Sequence, residues 1–224
     1  MKQILLIFTL FITCIASAQK PITKAIGDFS ILKVYDLIHL ELIKSDVNKV
    51  EITGKNSQNV MVVNKNGKLK IKMNIEKIYD GSDTEVKLYF THIDTIDANE
   101  GAFIASRNIF EQYHLELRAQ EGGQIKLNVK TDALQIKAVS GGLIELSGTT
   151  KHQDIHVNTG GILKSKALKS KVAKLDVKAG GEVDVNATEF VDVKIRAGGD
   201  VCIYGNPRQV QEDKVLGGRI RRMD

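Results

Sequence analysis

The chain has 224 residues, of which 42% are hydrophobic and 26% are charged, and its formal net charge is +5. This balance is typical of a folded globular protein and excludes an intrinsically disordered chain. The basic residues are scattered along the sequence rather than clustered in a stripe, which excludes a typical nucleic-acid-binding protein.

Residues 1–18 predict a secretory signal peptide. "MKQILLIFTLFITCIASA" contains an early lysine, an apolar run from Ile4 to Ile15 and the small residues "ASA" before Gln19. The run is shorter than the roughly 20 residues that span a bilayer, and Cys14 lacks the small preceding residues of a lipoprotein signal. We therefore expect a mature chain of residues 19–224, without a membrane span, in the periplasm or outside the cell. Cleavage leaves Cys202 as the sole cysteine, which excludes an intramolecular disulfide and a zinc–thiolate site.

Residues 19–98 predict a cap of β-strands. Apolar and polar residues alternate in "FSILKVYDLIHLELIK", "KVEITG", "NVMVVNKNGKLKIKM" and "EVKLYF". The turn-forming segments "SDVN" and "NKNG" favour antiparallel strands, and "NKNG" is a good hairpin turn. We interpret this region as the atypical terminal part of a repeat domain.

Residues 99–224 contain a repeated phrase built around a glycine pair, as in "KAVSGGLIELSG". Successive pairs are 19, 19, 20, 18 and 19 residues apart, which is the spacing of a solenoid repeat. The lone Gly101 marks a transitional coil before the regular ones. The pairs are Gly122 and Gly123, Gly141 and Gly142, Gly160 and Gly161, Gly180 and Gly181, Gly198 and Gly199, and Gly217 and Gly218.

Each repeat predicts a strand, a glycine corner and a second strand. After the pair, Ile144 and Leu146 flank the polar Glu145, and before the pair Leu134, Ile136 and Ala138 alternate in the same way. Glycine at the corner accepts a positive φ and lets the backbones of neighbouring coils approach closely. Stacked coils bury these inward rows together, so the sequence predicts an all-β parallel solenoid with about 19 residues per coil.

The same register places one outward side chain of each coil in a ladder along the solenoid. Its first four members alternate in charge, which favours attraction between neighbouring strands. The simplest interpretation is a solvated face that fixes the register. The ladder is Lys126, Glu145, Lys164, Asp184, Cys202 and Arg221.

These features, in this order, resemble a known family. A leader, "FSILKVYDLIHLELIK", "GKLKIKM", repeated "GG" coils, "IYGNPRQV" and a last "GG" are similar to the autotransporter-adhesin head GIN domain family of secreted Bacteroidetes proteins. The resemblance covers about residues 26–221. It implies a right-handed parallel β-helix-like fold, a periplasmic or cell-surface location and a role in adhesion. It supplies no catalytic residue.

The best carboxylate cluster follows two successive corners and consists of Glu182, Asp184 and Asp200. We expect Lys178 and Arg196 to neutralise this acidic patch. Carboxylates on one sheet are typical of polysaccharide-cleaving β-helices, so a lyase or hydrolase is the alternative function. A calcium site has too few evident ligands.

The favoured function is a non-enzymatic binding module. No aromatic residue lies between residues 115 and 189, whereas glycan-cleaving clefts are usually lined by aromatic platforms. The sequence predicts no catalytic residue, no metal and no cofactor. Its expected partner is a glycan or protein of the cell surface or envelope, and its oligomeric state is left open.

Overall fold

The computed structural model describes residues 21–223, so the expected signal peptide lies outside the described residues. The chain folds as an all-β solenoid of about 7 turns with ~19 residues per coil. Short 3-10 helices occupy Ser57–Asn59 and Ile75–Lys77. The strands are β1 (Ile22–Ala25), β2 (Ile31–Val34), β3 (His39–Lys44), β4 (Lys49–Gly54), β5 (Val60–Lys65), β6 (Lys68–Met73), β7 (Thr84–Phe90), β8 (Thr95–Ala98), β9 (Phe103–Ala119), β10 (Gln124–Val139), β11 (Leu143–Thr149), β12 (His152–Asn158), β13 (Ile162–Lys178), β14 (Gly181–Arg196), β15 (Gly199–Tyr204), β16 (Gln209–Val215) and β17 (Arg219–Arg222).

The solenoid has two long faces, which meet at the line of glycine turns. We call the strands before the turns the pre-turn sheet and those after them the post-turn sheet. The long strands β9, β10, β13 and β14 run from the post-turn sheet into the pre-turn sheet of the next coil. Neighbouring coils pair in parallel, with Ile125 opposite Ile144 and Ile136 opposite Ile155. All four side chains are buried, because the alternating pattern turns each apolar row inward.

In the turns that contain Gly122, Gly141 and Gly160, the two glycines of the pair are required for different reasons. In the turn at residues 139–142, Ser140 and Gly141 both have positive φ, 49° and 73°, and the Gly142 N–H donates to the Val139 carbonyl at 2.9 Å. Consecutive positive φ values are typical of a type I′ turn, which favours glycine at its second central position. At Gly142 the restriction is space instead, because a Cβ built there would lie 2.1 Å from the Ala119 carbonyl oxygen of the preceding coil.

The N-terminal part contains many parallel pairs, so the expectation of antiparallel strands there is wrong for β2, β3 and β8 and holds on only one side of β6 and β7. β2 pairs in parallel with β6 and β8, and β3 pairs in parallel with β7 and β9. These strands therefore continue the coil stack. The antiparallel pairs lie at its outer end, where β5 pairs with β6, β4 with β7, and β1 with β4. The predicted "NKNG" hairpin is confirmed: Asn66 and Gly67 have φ of 52° and 71°.

An ion pair covers the core at the C-terminal end of the solenoid. Glu212 stands opposite the buried Val193, and Arg222 stands opposite the buried Ile203, so both side chains occupy inward positions of the last coil. The Arg222 guanidinium donates to Glu212 Oε1 at 3.2 Å, across the end of the core. The last coil therefore combines this ion pair with the partly buried Val210 and Ile220, and the charges end the stack where a fully apolar row would be left exposed to water.

Candidate functional site

The lateral surface of the solenoid carries a groove on the post-turn sheet. β10 and β11 pair there without interruption over seven residues. On one side, Ser106–Asn108 of β9 bulge out opposite Leu127, and on the other Ser165 and Lys166 of β13 bulge out opposite Leu146. The flat pair of strands between these bulges forms the floor of a 420 Å³ cavity. We call this recess and its continuation the lateral groove.

The lateral groove continues toward the N-terminal end of the solenoid. A second cavity of 430 Å³ lies over β3, β7 and the start of β9, and it shares Ser106 and Lys126 with the first. The two recesses cross six neighbouring strands, which corresponds to about 24 Å at the usual strand spacing. Ser106 shapes their junction, since its hydroxyl donates to the Leu42 carbonyl at 2.9 Å and fixes the bulge.

The floor of the lateral groove carries the charge ladder that the sequence predicts. The strand register places Lys126, Glu145 and Lys164 side by side on successive coils, which confirms the order of the ladder. Lys126 Nζ lies 2.7 Å from Glu145 Oε1. Farther along, Asp184 stands beside Lys164 and also beside Cys202.

Positive charge predominates along the lateral groove. Lys166 leans out of the groove wall over the ring of Tyr204, with its Nζ 4.7 Å from the ring centre. Arg107, which is 91% exposed, reaches Glu41 at 3.1 Å. The surplus of cations suits a ligand that carries negative charge. The lining includes the cations Lys87, Arg107, Lys126, Lys164 and Lys166 and the carboxylates Glu41, Glu85 and Glu145.

An aromatic pair in the lateral groove is absent from the sequence prediction. His39 of β3 and Phe103 of β9 are neighbours in the parallel ladder, and their rings meet edge to face with centres 5.9 Å apart. His39 comes two residues after Leu37, and Phe103 comes two residues after Gly101. Leu37 and Gly101 both have positive φ. Aligning the turn at Leu37 with the glycine turns would have found the pair. The pair lies outside the prediction because the N-terminal strands were expected to be antiparallel capping strands of the domain, without the parallel register that makes these two residues neighbours.

One member of the acidic patch, Asp200, is neutralised by different residues from those expected. Glu182 and Asp200 are neighbours on β14 and β15, and Asp184 lies two residues along β14. Asp200 accepts hydrogen bonds from Arg219 at 2.6 Å and Arg221 at 3.1 Å. These short contacts tie up the Asp200 carboxylate within the last coil.

Lys178 and Arg196, expected to neutralise the patch, instead pair elsewhere. Lys178 lies 2.7 Å from Asp176, and Arg196 lies 3.7 Å from Asp213. That expectation is therefore wrong. Across residues 21–223, no three His, Cys, Asp or Glu side chains form a group that could hold a metal ion.

Two tyrosines near the post-turn sheet remain neutral phenols over a wide pH range. Burial raises the pKa of Tyr204, and the neighbouring Asp184 raises it further. Burial also raises the pKa of Tyr89, whose hydroxyl donates to Glu51 at 3.1 Å. Lys49 donates to the same carboxylate and lowers the pKa of Glu51. A hydrogen bond between the neighbouring strands β4 and β7 contributes to the shifts of Tyr89 and Glu51, whereas burial and a neighbouring carboxylate account for the shift of Tyr204.

No helix within residues 21–223 has the length and apolar character needed to cross a membrane.

A family model described as "Putative auto-transporter adhesin, head GIN domain" matches residues 28–207. The chain has no significant match among curated proteins.

Several solved structures share the fold. A "putative adhesin" from Bacteroides fragilis aligns over 92% of this chain and 98% of its own, with a TM-score of 0.82 at 17% identity. A "putative lipid binding protein" from Parabacteroides distasonis aligns over the same shares, with a TM-score of 0.67 at 18% identity. A "putative adhesin" from Parabacteroides merdae covers 92% of this chain and 97% of its own, with a TM-score of 0.68 at 16% identity. At these identities the likeness concerns the fold.

Proposed function

Because the chain belongs to the auto-transporter adhesin, head GIN domain family, we propose that it is an exported, non-enzymatic binding module that takes an extended acidic glycan in its lateral groove. The groove between the bulges of β9 and β13 is the observation that carries this proposal. The interior of the solenoid is filled by side chains, so a ligand has to bind on an outer face, a turn or an end.

The chemistry of the lateral groove favours a polar, extended ligand. The lining charges include ion pairs such as Lys126 with Glu145, so some of the charges in the groove are already neutralised without a ligand. Contacts of this kind are individually weak and add up over a long ligand. The exposed His39 beside Phe103 offers a small ring surface on which a sugar ring can pack at one end.

Substitution of the groove wall tests the proposal directly. We expect Lys164→Gln with Lys166→Gln to reduce affinity for an acidic glycan about tenfold, which equals about 1.4 kcal/mol. The matched control is Lys137→Gln with Lys214→Gln, which removes the same charge from two exposed lysines outside the groove. The measurement is titration of an acidic glycan identified on a glycan and protein array probed with residues 19–224. Equal losses in both variants would show that net charge, and not the groove, determines binding.

Two other outcomes would change the assignment. Array hits confined to proteins would keep the binding role but replace the glycan by a protein segment. Turnover of a polysaccharide by the purified protein, abolished by Asp184→Asn, would replace the binding module by a β-helix enzyme.

Export is tested by the N-terminus of the mature protein. We expect mass spectrometry to find Gln19 at this position after secretion, because "ASA" precedes it. A full-length chain or one acylated at Cys14 would contradict export by this signal.

A further inference from the structure

The N-terminal end of the pre-turn sheet has a face that the lateral groove does not use. It consists of the outer surface of the β5–β6 hairpin and the loop 74–80, which together we call the cap face. The hairpin contributes lysines, and the loop contributes exposed apolar side chains. Both parts line one 380 Å³ recess, which Lys70 shares with Ile75, Ile78 and Tyr79.

Within the described part of the chain, the outward lysines of the β5–β6 hairpin do not serve the fold as ion-pair partners. Lys65 stands directly opposite Lys68 in the hairpin, and Lys70 stands beside Lys33 of β2. Among the described residues, Lys65, Lys68 and Lys70 have no carboxylate within ion-pair distance, whereas Lys33 lies 2.6 Å from the buried Asp97. Like charges directly opposite each other destabilise a strand pair. This concentration of charge is therefore better explained by an external anionic partner.

The apolar side chains of the loop are held in an exposed position. Ile75 is 85% exposed, Tyr79 60% and Ile78 49%. The loop cannot readily fold them inward, because the buried Asp36 carboxylate accepts hydrogen bonds from the Met73 N–H at 3.0 Å and the Tyr79 N–H at 3.4 Å.

A further bond and the loop's own charges complete this arrangement. The Asn56 side chain donates to the Asp80 carbonyl at 2.9 Å. The loop also carries Glu76 and Asp80, and Lys77 lies 3.2 Å from the Asp80 carboxylate. The net positive charge therefore comes from the hairpin and the apolar surface from the loop.

We propose that the cap face docks the protein on an anionic bilayer surface. The hairpin lysines lie at the level of the lipid phosphates, while Ile75, Ile78 and Tyr79 enter the headgroup region. Lysine next to exposed isoleucine and tyrosine is the combination that binds such an interface, where apolar burial and charge attraction add together. This goes beyond the proposed function, because the lateral groove lies on the post-turn sheet and remains open to its ligand when the cap face is docked.

Charge reversal in the hairpin tests the docking surface. The experiment measures co-sedimentation of residues 19–224 with vesicles of phosphatidylglycerol and phosphatidylcholine, and with vesicles of phosphatidylcholine alone. Each lysine near an anionic surface changes partitioning by roughly fivefold. We therefore expect Lys68→Glu with Lys70→Glu to lower partitioning by at least about 25-fold on that basis, and the control Lys137→Glu with Lys214→Glu to change it by less than about threefold, because neither residue lies on the cap face.

Charge reversal on β6 leaves the edge of the sheet unchanged. β6 is paired with β5 on one side and with β2 on the other, so Lys68 and Lys70 do not lie on the exposed edge strand, which is β5. The reversed variant should therefore stay monomeric by light scattering while it loses vesicle binding. Ile75→Ser with Ile78→Ser should weaken binding at high salt more than at low salt, because it removes the part of the attraction that salt does not screen. Inorganic phosphate should reduce vesicle binding no more than another salt does at the same ionic strength.

Three results would overturn the docking surface. They are equal binding to both vesicle types, equal losses in the hairpin and control variants, and unchanged binding after charge reversal. The outcome is independent of the lateral groove. If the hairpin variant keeps its glycan affinity and loses vesicle binding, docking is supported; if wild type binds glycan and no vesicle, docking alone fails.

Discussion

Gly160 and Gly161 are adjacent in one turn, but they resist substitution for different physical reasons, and alanine at each position distinguishes them. At Gly160, φ is +67°, and an added Cβ would meet nothing within 4 Å. Alanine there keeps the packing and pays only for the left-handed backbone, about 1–2 kcal/mol. At Gly161, an added Cβ would lie 2.1 Å from the Ala138 carbonyl oxygen and 2.5 Å from its carbon. Because these atoms belong to backbone, the two coils have to move apart, and we expect Gly161→Ala to destabilise the protein by about 3 kcal/mol or more.

Thermal unfolding followed by circular dichroism measures the difference. For a chain of this size each kcal/mol corresponds to about 2–4 °C, so Gly160→Ala should lower the Tm by about 4 °C and Gly161→Ala by about 9 °C. The preceding coil provides an internal repeat, since an added Cβ on Gly141 would meet nothing within 4 Å and a Cβ on Gly142 would lie 2.1 Å from the Ala119 carbonyl oxygen. Equal Tm losses within each pair, or a larger loss at Gly160, would refute the argument that the second glycine is required by coil spacing.

Three further predictions concern the core, one carboxyl group and the C-terminal end. Ile136→Ala should destabilise by about 2–4 kcal/mol and Lys137→Ala by no more than about 0.5 kcal/mol in urea unfolding, because the first side chain is buried and the second exposed; the reverse order would mean that the register is wrong by one residue. Burial and the nearby Asp36 raise the pKa of Glu100, so the charged form of this carboxyl opposes folding above that pKa. Glu100→Gln should therefore raise the Tm at pH 7–8, and the gain in Tm should fade as the pH falls through the raised pKa. A gain in Tm that does not depend on pH would contradict this explanation. The last strand carries three cations, Arg219, Arg221 and Arg222. Replacing all three by serine should cause self-association, measured by light scattering, and leave glycan affinity unchanged. A variant that stays soluble but loses glycan affinity would make these cations part of the binding surface.

Local periodicity was sufficient to predict the repeat. The spacing of the glycine pairs located the turns, and alternation on either side identified the inward row, as Ile136 and its neighbour Lys137 show. These features could be read from the sequence because a turn that needs positive φ and a strand that alternates every second residue depend on the nearest neighbours alone.

Strand direction could not be read in the same way. The alternation in "FSILKVYDLIHLELIK" is the same for a parallel and an antiparallel strand, so it did not reveal that β2 and β3 stack between two other coils. The turn-forming segments biased the prediction toward hairpins. After β3 the chain forms β4 to β7 on one side of β2 and β3, and it then returns to form β8 and β9 on their other side. This route depends on contacts between segments that are distant in the sequence.

The lateral groove and the ion pairs were decided by tertiary structure. β9 has two extra residues opposite Leu127, and β13 has one extra residue opposite Leu146; these bulges form the walls of the groove. Their positions can be seen only from the pairing of the complete strands. The same holds for Asp200, which pairs with Arg219 from the next coil instead of with the cations nearest in sequence. The sequence by itself determined the period, the turns and the core rows, because these are local. Only the tertiary structure decided which side chains meet across coils. The neighbour of a side chain on the next coil lies about 19 residues away along the chain, and the strand register and the bulges determine which residue it is.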